Sequence, residues 1–283
     1  MTEKTPSTDR FCDFAVSEQR LPPFSFQAAF SVAWRVLGQH YWLLVGAGIA
    51  YLGVGNLADL FGVLLGRFVW EGYLIEPFEN GRLEVTSTSL LNLLSSLFLM
   101  PALQAGFLYL GLLAVRCQAP GFSKLLRGFG SYWVLVRVNL LRLLILAIPG
   151  VLLAAGLGVG YLIGSPAGDP SQGGTTALFL VGPPALILWI YLYARLSFAA
   201  LLIIDPLSHV SSARAALRAS ASVTRPVAWR LAAVLCAVPV LVLLSFACFF
   251  LPAFLLGVPL SCVVLPATYE MVRSQIRAAE AEA

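Results

Sequence analysis

The chain has 283 residues, of which 59% are hydrophobic and 11% charged, with a mean hydropathy of +0.86 and a formal net charge of +4. A soluble domain carries about 25% charged residues, so this composition cannot cover a water-facing surface, and a polytopic membrane protein is the class that fits. Nearly the whole chain is needed for membrane spans, which leaves no room for a separate soluble catalytic domain.

Residues 1–23 read as a polar N-terminal tail. Its first twenty residues, MTEKTPSTDRFCDFAVSEQR, lack the apolar core of a cleaved signal peptide, so the mature chain is expected to begin at or near Met1. A single membrane domain is expected over residues 24–276, followed by a short tail at 277–283. From Phe24, the segment FSFQAAFSVAWRVLGQHY places Phe26, Phe30, Ala33 and Leu37 on one helical face and Gln27, Ser31 and Arg35 on another. That pattern predicts a helix lying in the headgroup region, with Ser25 as its N-cap. A first span over about Trp42 to Gly66 follows, then a polar loop holding Glu71, Glu76, Glu79 and Glu84.

The second span is predicted from about Leu90 to Ala114, with Pro101 inside it. Next, GFSKLLRGFG sets Phe122, Leu125, Leu126 and Phe129 opposite Lys124 and Arg127, a second short interfacial helix. The third span covers about Val136 to Ile163, and SPAGDPSQGG is a turn-rich loop. The fourth runs from about Ala177 to Ile204, where Asp205-Pro206 stops it. A third interfacial helix is expected over about Ser211 to Thr224, where Ala213, Ala216 and Ser220 suit close packing under the bundle. The apolar run from Val227 to Thr268 exceeds the ~20 residues one span needs. Divided near Phe250-Leu251-Pro252, it makes a tight hairpin of spans five and six.

Fifteen of the eighteen Lys and Arg residues then fall on the side of the two termini, against Arg67 and Arg82 on the other. Cations enrich cytoplasmic segments near helix ends, so both termini are expected in the cytoplasm. Each interfacial helix leads into an odd-numbered span through a tryptophan (Trp42, Trp133 and Trp229), which serves as an interface anchor. The layout predicts an all-α, six-span bundle built from three copies of one interfacial helix plus two spans.

With the chain so ordered, several stretches carry a resemblance: PALQAGFLYLGLLAVR, GFSKLLRGFGSYW, Ile148 to Gly150, YARLSFAALLIID, AALRASASVTRPVAWRL and GVPLSCVVLPATYEMV. Over about residues 24 to 275 the chain resembles uncharacterised bacterial six-span membrane proteins related to the membrane domain fused to some glycerophosphodiester phosphodiesterases. The resemblance implies the fold and topology. Its motifs are not catalytic, and no phosphodiesterase chemistry follows from it.

Arg195 is the most conspicuous polar residue of the spans. It lies nine residues from the end of its span, roughly 13 Å at 1.5 Å per residue. A charge at mid-span costs about 2.5 to 3.5 kcal/mol on insertion scales, so it is expected to face the bundle interior and find a partner. Glu270 is the favoured candidate, with Asp59, Gln104 and Asn139 as the others. A buried pair fixing helix register, or snorkelling to the interface, is the structural explanation; contact with a substrate anion or headgroup is the functional one. Asp59 reads either as part of a proton or cation path or as a wet span end. Arg137 and Arg142 are assigned to anchoring. Glycines at Gly62 and Gly66, and at Gly156, Gly160 and Gly164, form four-residue strips suited to helix packing. Arg35, Lys124, Arg127, Arg214 and Arg218 are candidates for anionic headgroups, at about 1 kcal/mol per cation.

Only His40 and His209 are histidines, the five cysteines form no C-x-x-C pair, and no H-E-x-x-H, G-x-S-x-G or Walker motif occurs. No metal site, cofactor, catalytic residue or nucleic-acid partner is therefore expected. The expectation is a non-enzymatic protein of the bacterial inner membrane that organises lipids or other membrane components, through anionic lipid, a protein partner or a homo-oligomer. The competing expectation is a transporter of a small molecule or lipid, with a path near Arg195 and helices broken at Pro101, Pro149 and Pro184.

Overall fold

The computed structural model describes residues 24–70, 95–164, 170–248 and 256–282. Every regular element among them is helical: α1 (Phe26–Trp70), α2 (Met100–Val115), α3 (Tyr132–Gly164), α4 (Pro170–Leu196), α5 (Ala199–Ile204), α6 (Ala213–Thr224), α7 (Ala228–Cys248) and α8 (Val258–Glu282). A π-helical turn, Ser95–Leu99, leads into α2, and 3-10 helices occupy Phe122–Ser131 and Arg225–Val227. Four stretches are long and apolar enough to cross a membrane: Ser95–Val115, Phe122–Val159, Phe179–Ile204 and Ala213–Val240.

Neighbours in sequence are neighbours in space. Helix α1 packs on α2, α2 on α3, α3 on α4, α4 on α7, α7 on α8, and α8 returns to α1. Helices α2 and α8 also pack directly on each other. Burial follows this arrangement. In the most apolar part of Ser95–Val115, 72% of residues are buried, against 6% in Phe122–Val159. The surface so exposed is greasy: Leu144, Val151, Phe179 and Leu180 are each more than 60% exposed. Apolar exposure on this scale needs an apolar solvent.

Glycines set the closest approaches. A Cβ on Gly111 would lie 2.1 Å from the Cys262 carbonyl oxygen of α8. One on Gly106 would lie 1.7 Å from the Leu125 oxygen, and one on Gly128 would lie 2.0 Å from the Ala102 oxygen. These three glycines lie outside the predicted strips, which fall on α1 and α3. Gly156 does contact Val181 on α4, while the side-chain surroundings at Gly62, Gly66, Gly160 and Gly164 lie outside the described residues.

Several boundaries differ from expectation. Within α1, however, the first amphipathic stretch and the first span are two helical segments that meet across a kink at His40 (φ −117°, ψ 24°), next to the expected span start at Trp42. Ser25 caps α1 as expected, accepting from the Ala28 N–H at 3.1 Å. The second amphipathic stretch is a 3-10 helix. Its period of three places Leu125 and Gly128 together against α2, where an α-helical face would have buried Leu126 and Phe129; both of those are exposed. Helix α4 begins at Pro170, inside the stretch read as a loop. Helix α8 runs on to Glu282, through most of the expected C-terminal tail. The Glu71–Glu84 loop, the start of the second span and the hairpin division at Phe250–Pro252 lie outside the described residues.

The prolines do not break the helices. Pro101 sits in the first turn of α2, where no intrahelical donor is lost, and α3 and α4 continue through Pro149, Pro183 and Pro184. The interruption falls instead at Ser197–Phe198, between α4 and α5.

Candidate functional site: a buried charge cluster and a cavity

The ends of α2 and α5 and the middle of α8 bring charge together. Helix α2 closes with a Schellman turn: Gln118 N–H donates to Leu113 and Cys117 N–H to Ala114, with Cys117 in the left-handed region at φ 52°. This turn holds Arg116 at the C-cap of the helix. Helix α5 ends at Asp205, whose extended backbone (ψ 112°) is what a residue before proline prefers. The Asp205 carboxylate accepts back from the Leu207 N–H at 3.1 Å. On α8, Tyr269, Glu270 and Arg273 lie within one turn of each other.

Arg116 grips Asp205 with both terminal nitrogens, each at 2.8 Å, and bonds Glu270 through Nε at 2.7 Å and through Nη2. Arg273 donates to the same Asp205 carboxylate and to the Leu207 carbonyl, and the Tyr269 hydroxyl completes the set at 3.0 Å. The Tyr269 ring stands edge-on to Phe198, 5.4 Å between centroids, beside the break that follows α4. The Asp205 side chain is 0% exposed, and those of Arg116, Glu270 and Arg273 are 12–17% exposed. Two cations face two anions, so the group is neutral as a whole. Burial alone would push the Asp205 carboxyl up; the Arg116 hydrogen bonds, the Leu207 N–H and the Tyr269 hydroxyl outweigh it and hold it at about 2.

The expected Arg195–Glu270 pair is not formed. Glu270 is committed to Arg116, which sequence reasoning had counted only among the peripheral cations. Arg195 Nη2 instead donates to the Ala221 carbonyl of α6 at 2.6 Å, and Nη1 to the Tyr191 hydroxyl at 3.3 Å. The reason is local. The break at Ser197–Phe198 releases the Arg195 carbonyl from its helical donor, and Ser220 and Thr224 of α6 supply hydroxyls to it at 2.8 and 3.2 Å. Backbone and side chain of one residue thus pin α6 beneath α4. Helix α6 presents Ala213, Ala216, Leu217, Ser220 and Thr224 as its buried face, as its small residues predicted, with Ser212 as N-cap.

The remaining candidates are dispersed. Gln104 is exposed into a cavity and Asn139 is half-buried on α3, neither within hydrogen-bond reach of Arg195. Asp59 lies on α1, its side chain outside the described residues. Arg127 stacks over Tyr109 at 4.9 Å, and Arg142 over Tyr193 at 4.4 Å. Arg35, Lys124, Arg214 and Arg218 are exposed, as are Trp42 (80%), Trp133 (67%) and Trp229 (62%). Among the described residues no group of His, Cys, Asp and Glu could hold a metal ion.

The cavity, about 650 Å³, lies between α1, α2, α4, α7 and α8. Its volume falls in the range of about 300–1,000 Å³ usual for small-molecule sites. Its walls are mainly apolar, and Arg195, Glu270 and Asn139 do not line it.

Fold, exposed apolar surface and span-length helices define an all-helical, membrane-embedded protein. Comparison with family models, curated proteins and solved structures finds no match.

Proposed function

We propose that this protein is a non-enzymatic organiser of lipids or other components in the bacterial inner membrane. The observation that carries the reading is how its enclosed charges are used. Arg116, Asp205, Glu270 and Arg273 neutralise one another, and Arg195 holds α6. Among the described residues, none of these charges is directed at the cavity, where a transporter of ions or polar solutes would need it. That Tyr191 and Ala221 take up Arg195 Nη1 and Nη2 weighs against the alternative of a path near Arg195.

The proposal includes six spans with both termini cytoplasmic, three cytoplasmic-side amphipathic segments, and kinship with the membrane domain that accompanies some glycerophosphodiester phosphodiesterases. The cation asymmetry supports the orientation. The ring-like packing order supports six helices. Exposed Arg35, Lys124, Arg214 and Arg218, with Trp42 just past the His40 kink and Trp133 and Trp229 at the starts of α3 and α7, support contact with anionic headgroups.

The test is purification in mild detergent, with mass spectrometry of what stays bound, alongside flux assays in liposomes. A stoichiometric protein or lipid companion without flux is the expected result. Flux in liposomes containing this chain alone would overturn the reading, and reporter tags at Met1 and Ala283 on opposite faces would overturn the topology.

A further inference from the structure

Helix α2 is almost wholly enclosed between Pro101 and Ala114, and Gln104 is the one residue of that stretch exposed to space. The space it faces is the 650 Å³ cavity, which Tyr51 of α1 and Tyr193 of α4 also line. Their rings are fixed by stacking, Tyr51 on Phe107 at 5.2 Å and Tyr193 on Trp189 at 5.4 Å. The Gln104 amide and the two hydroxyls form no hydrogen bond to any other described residue.

Depth makes this arrangement costly. Gln104 precedes Arg116 by twelve residues and Tyr193 precedes Asp205 by twelve, so both lie roughly 18 Å along their helices from the charge cluster. That distance is about half of a hydrocarbon core ~30 Å thick. Lipid tails offer these groups nothing to bond, and a polar group left unsatisfied in hydrocarbon costs several kcal/mol. Three such groups around one apolar space call for an occupant with polar atoms of its own. No described cation or carboxylate lines the walls, which speaks against a charged headgroup; Arg142 is stacked on Tyr193 and is not part of the lining. Leu186, Trp189 and Val240 belong to both the lining and the exposed apolar surface, so the cavity is open to the surrounding lipid.

We infer that the cavity takes an uncharged lipid from within the bilayer, its apolar body against the walls and its carbonyl or hydroxyl oxygens bonded by Gln104, Tyr51 and Tyr193. The inference deepens the lipid-organising reading and rests on it only in placing the helices in a bilayer. The shared chemistry is an oxygenated neutral head on an apolar tail, which a diacylglycerol or an isoprenoid quinone supplies.

The full chain in nanodiscs would be probed separately with dioleoylglycerol, decylubiquinone and dioleoylphosphatidylglycerol, with native mass spectrometry counting retained molecules. One neutral lipid should bind in a 1:1 complex, and the two neutral probes decide which head is taken. Gln104→Leu combined with Tyr193→Phe keeps the cavity's size and should weaken that binding about tenfold or more while sparing phosphatidylglycerol. A diazirine-bearing version of the neutral lipid should label wall peptides around Leu108 and Leu265 in the unmodified protein. This second measurement decides the matter even if the variant fails to fold. Retention of phosphatidylglycerol alone, neutral binding indifferent to the double substitution, or labelling confined to outward residues such as Leu144 and Val151 would overturn the inference. Any of those results with lipid still bound would leave the broader organising role standing.

Discussion

Asp205→Asn is the sharpest test of the charge cluster. The substitution keeps the shape of the side chain and removes one negative charge from a position with 0% side-chain exposure. Arg116 loses a two-nitrogen grip, and Arg273 loses its carboxylate. Two cations then share one anion, Glu270, so one buried positive charge goes uncompensated. Breaking a buried pair this way costs about 3–5 kcal/mol. By the soluble-protein relation this corresponds to a fall in Tm on the order of 10 °C. Thermal unfolding in detergent, followed by tryptophan fluorescence, reads the change. Glu270→Gln should cost less, because Glu270 bonds only Arg116 and keeps more solvent. The decisive comparison is a double-mutant cycle with Arg116→Met. Each single variant leaves a net charge in the cluster, whereas the double variant leaves Arg273 and Glu270 in balance. The double variant should therefore regain stability over Asp205→Asn, with a coupling of about 2 kcal/mol or more. Additive losses would refute the claim that these charges act as one neutral unit.

The same carboxylate predicts the acid response. Its folded value, about 2, lies below the ordinary 3.8, so its contribution is complete above about pH 4 and is lost as pH falls through about 2. Acid titration of unfolding should show that loss, and Asp205→Asn should flatten it. Gly111→Ala would push a methyl into the Cys262 carbonyl and should cost about 1–3 kcal/mol or more. Gly150→Ala, with nothing within 4 Å, should be neutral or stabilise by up to about 1 kcal/mol; equal effects on unfolding would remove the close-approach argument. Arg195→Leu deletes the bond to Ala221 and should cost about 1.5–3 kcal/mol while loosening α6. Faster tryptic cleavage at Arg214 and Arg218 is the readout, and unchanged cleavage would show that Arg195 does not hold the helix.

What the sequence disclosed is what depends on a residue's near neighbours. The excess of apolar side chains required an apolar solvent. Ser25 and the small-residue face of α6 were readable because capping and helical periodicity act within a few positions. Asp205-Pro206 was readable as a stop for the same reason. Its second role was not, because its partners Arg116, Tyr269 and Arg273 lie 89, 64 and 68 residues away. Which charge meets which depends on how each helix is rotated about its axis, and a nearly uniform apolar run does not encode that rotation plainly. Arg195 shows the limit from the other side. Its depth was correctly read as demanding a partner. The partner proved to be the Ala221 carbonyl in the last turn of α6, while the break at Ser197–Phe198, which no proline announced, frees the Arg195 carbonyl for Ser220 and Thr224. The glycines show the same limit: spacing pointed to Gly156, which does meet Val181, but not to Gly106, Gly111 and Gly128, which matter because of what stands opposite them. A signal for the cluster did exist, in charges placed at or just beyond the ends of the runs LLAV, LLII and ATY.

On the three-unit reading these charges occupy corresponding places. Trp42 precedes Arg116 by 74 residues and Trp133 precedes Asp205 by 72; in the third unit Glu270 follows Trp229 by 41. Each unit would then bring its second apolar helix to a common point, which would account for the burial of α2 and for its direct packing on α8. Such a point cannot carry the same residue in each unit. Three arginines or three carboxylates converging out of water would repel one another, and each would lack a partner for its buried charge. One unit must supply the cation, another the anion, and a third the balance, as Arg116, Asp205 and the Glu270–Arg273 pair do. Electrostatics would thus force a repeat to diverge where its copies touch. Internal similarity should then be faintest at the positions that hold the assembly together, and clearest at the exposed tryptophans.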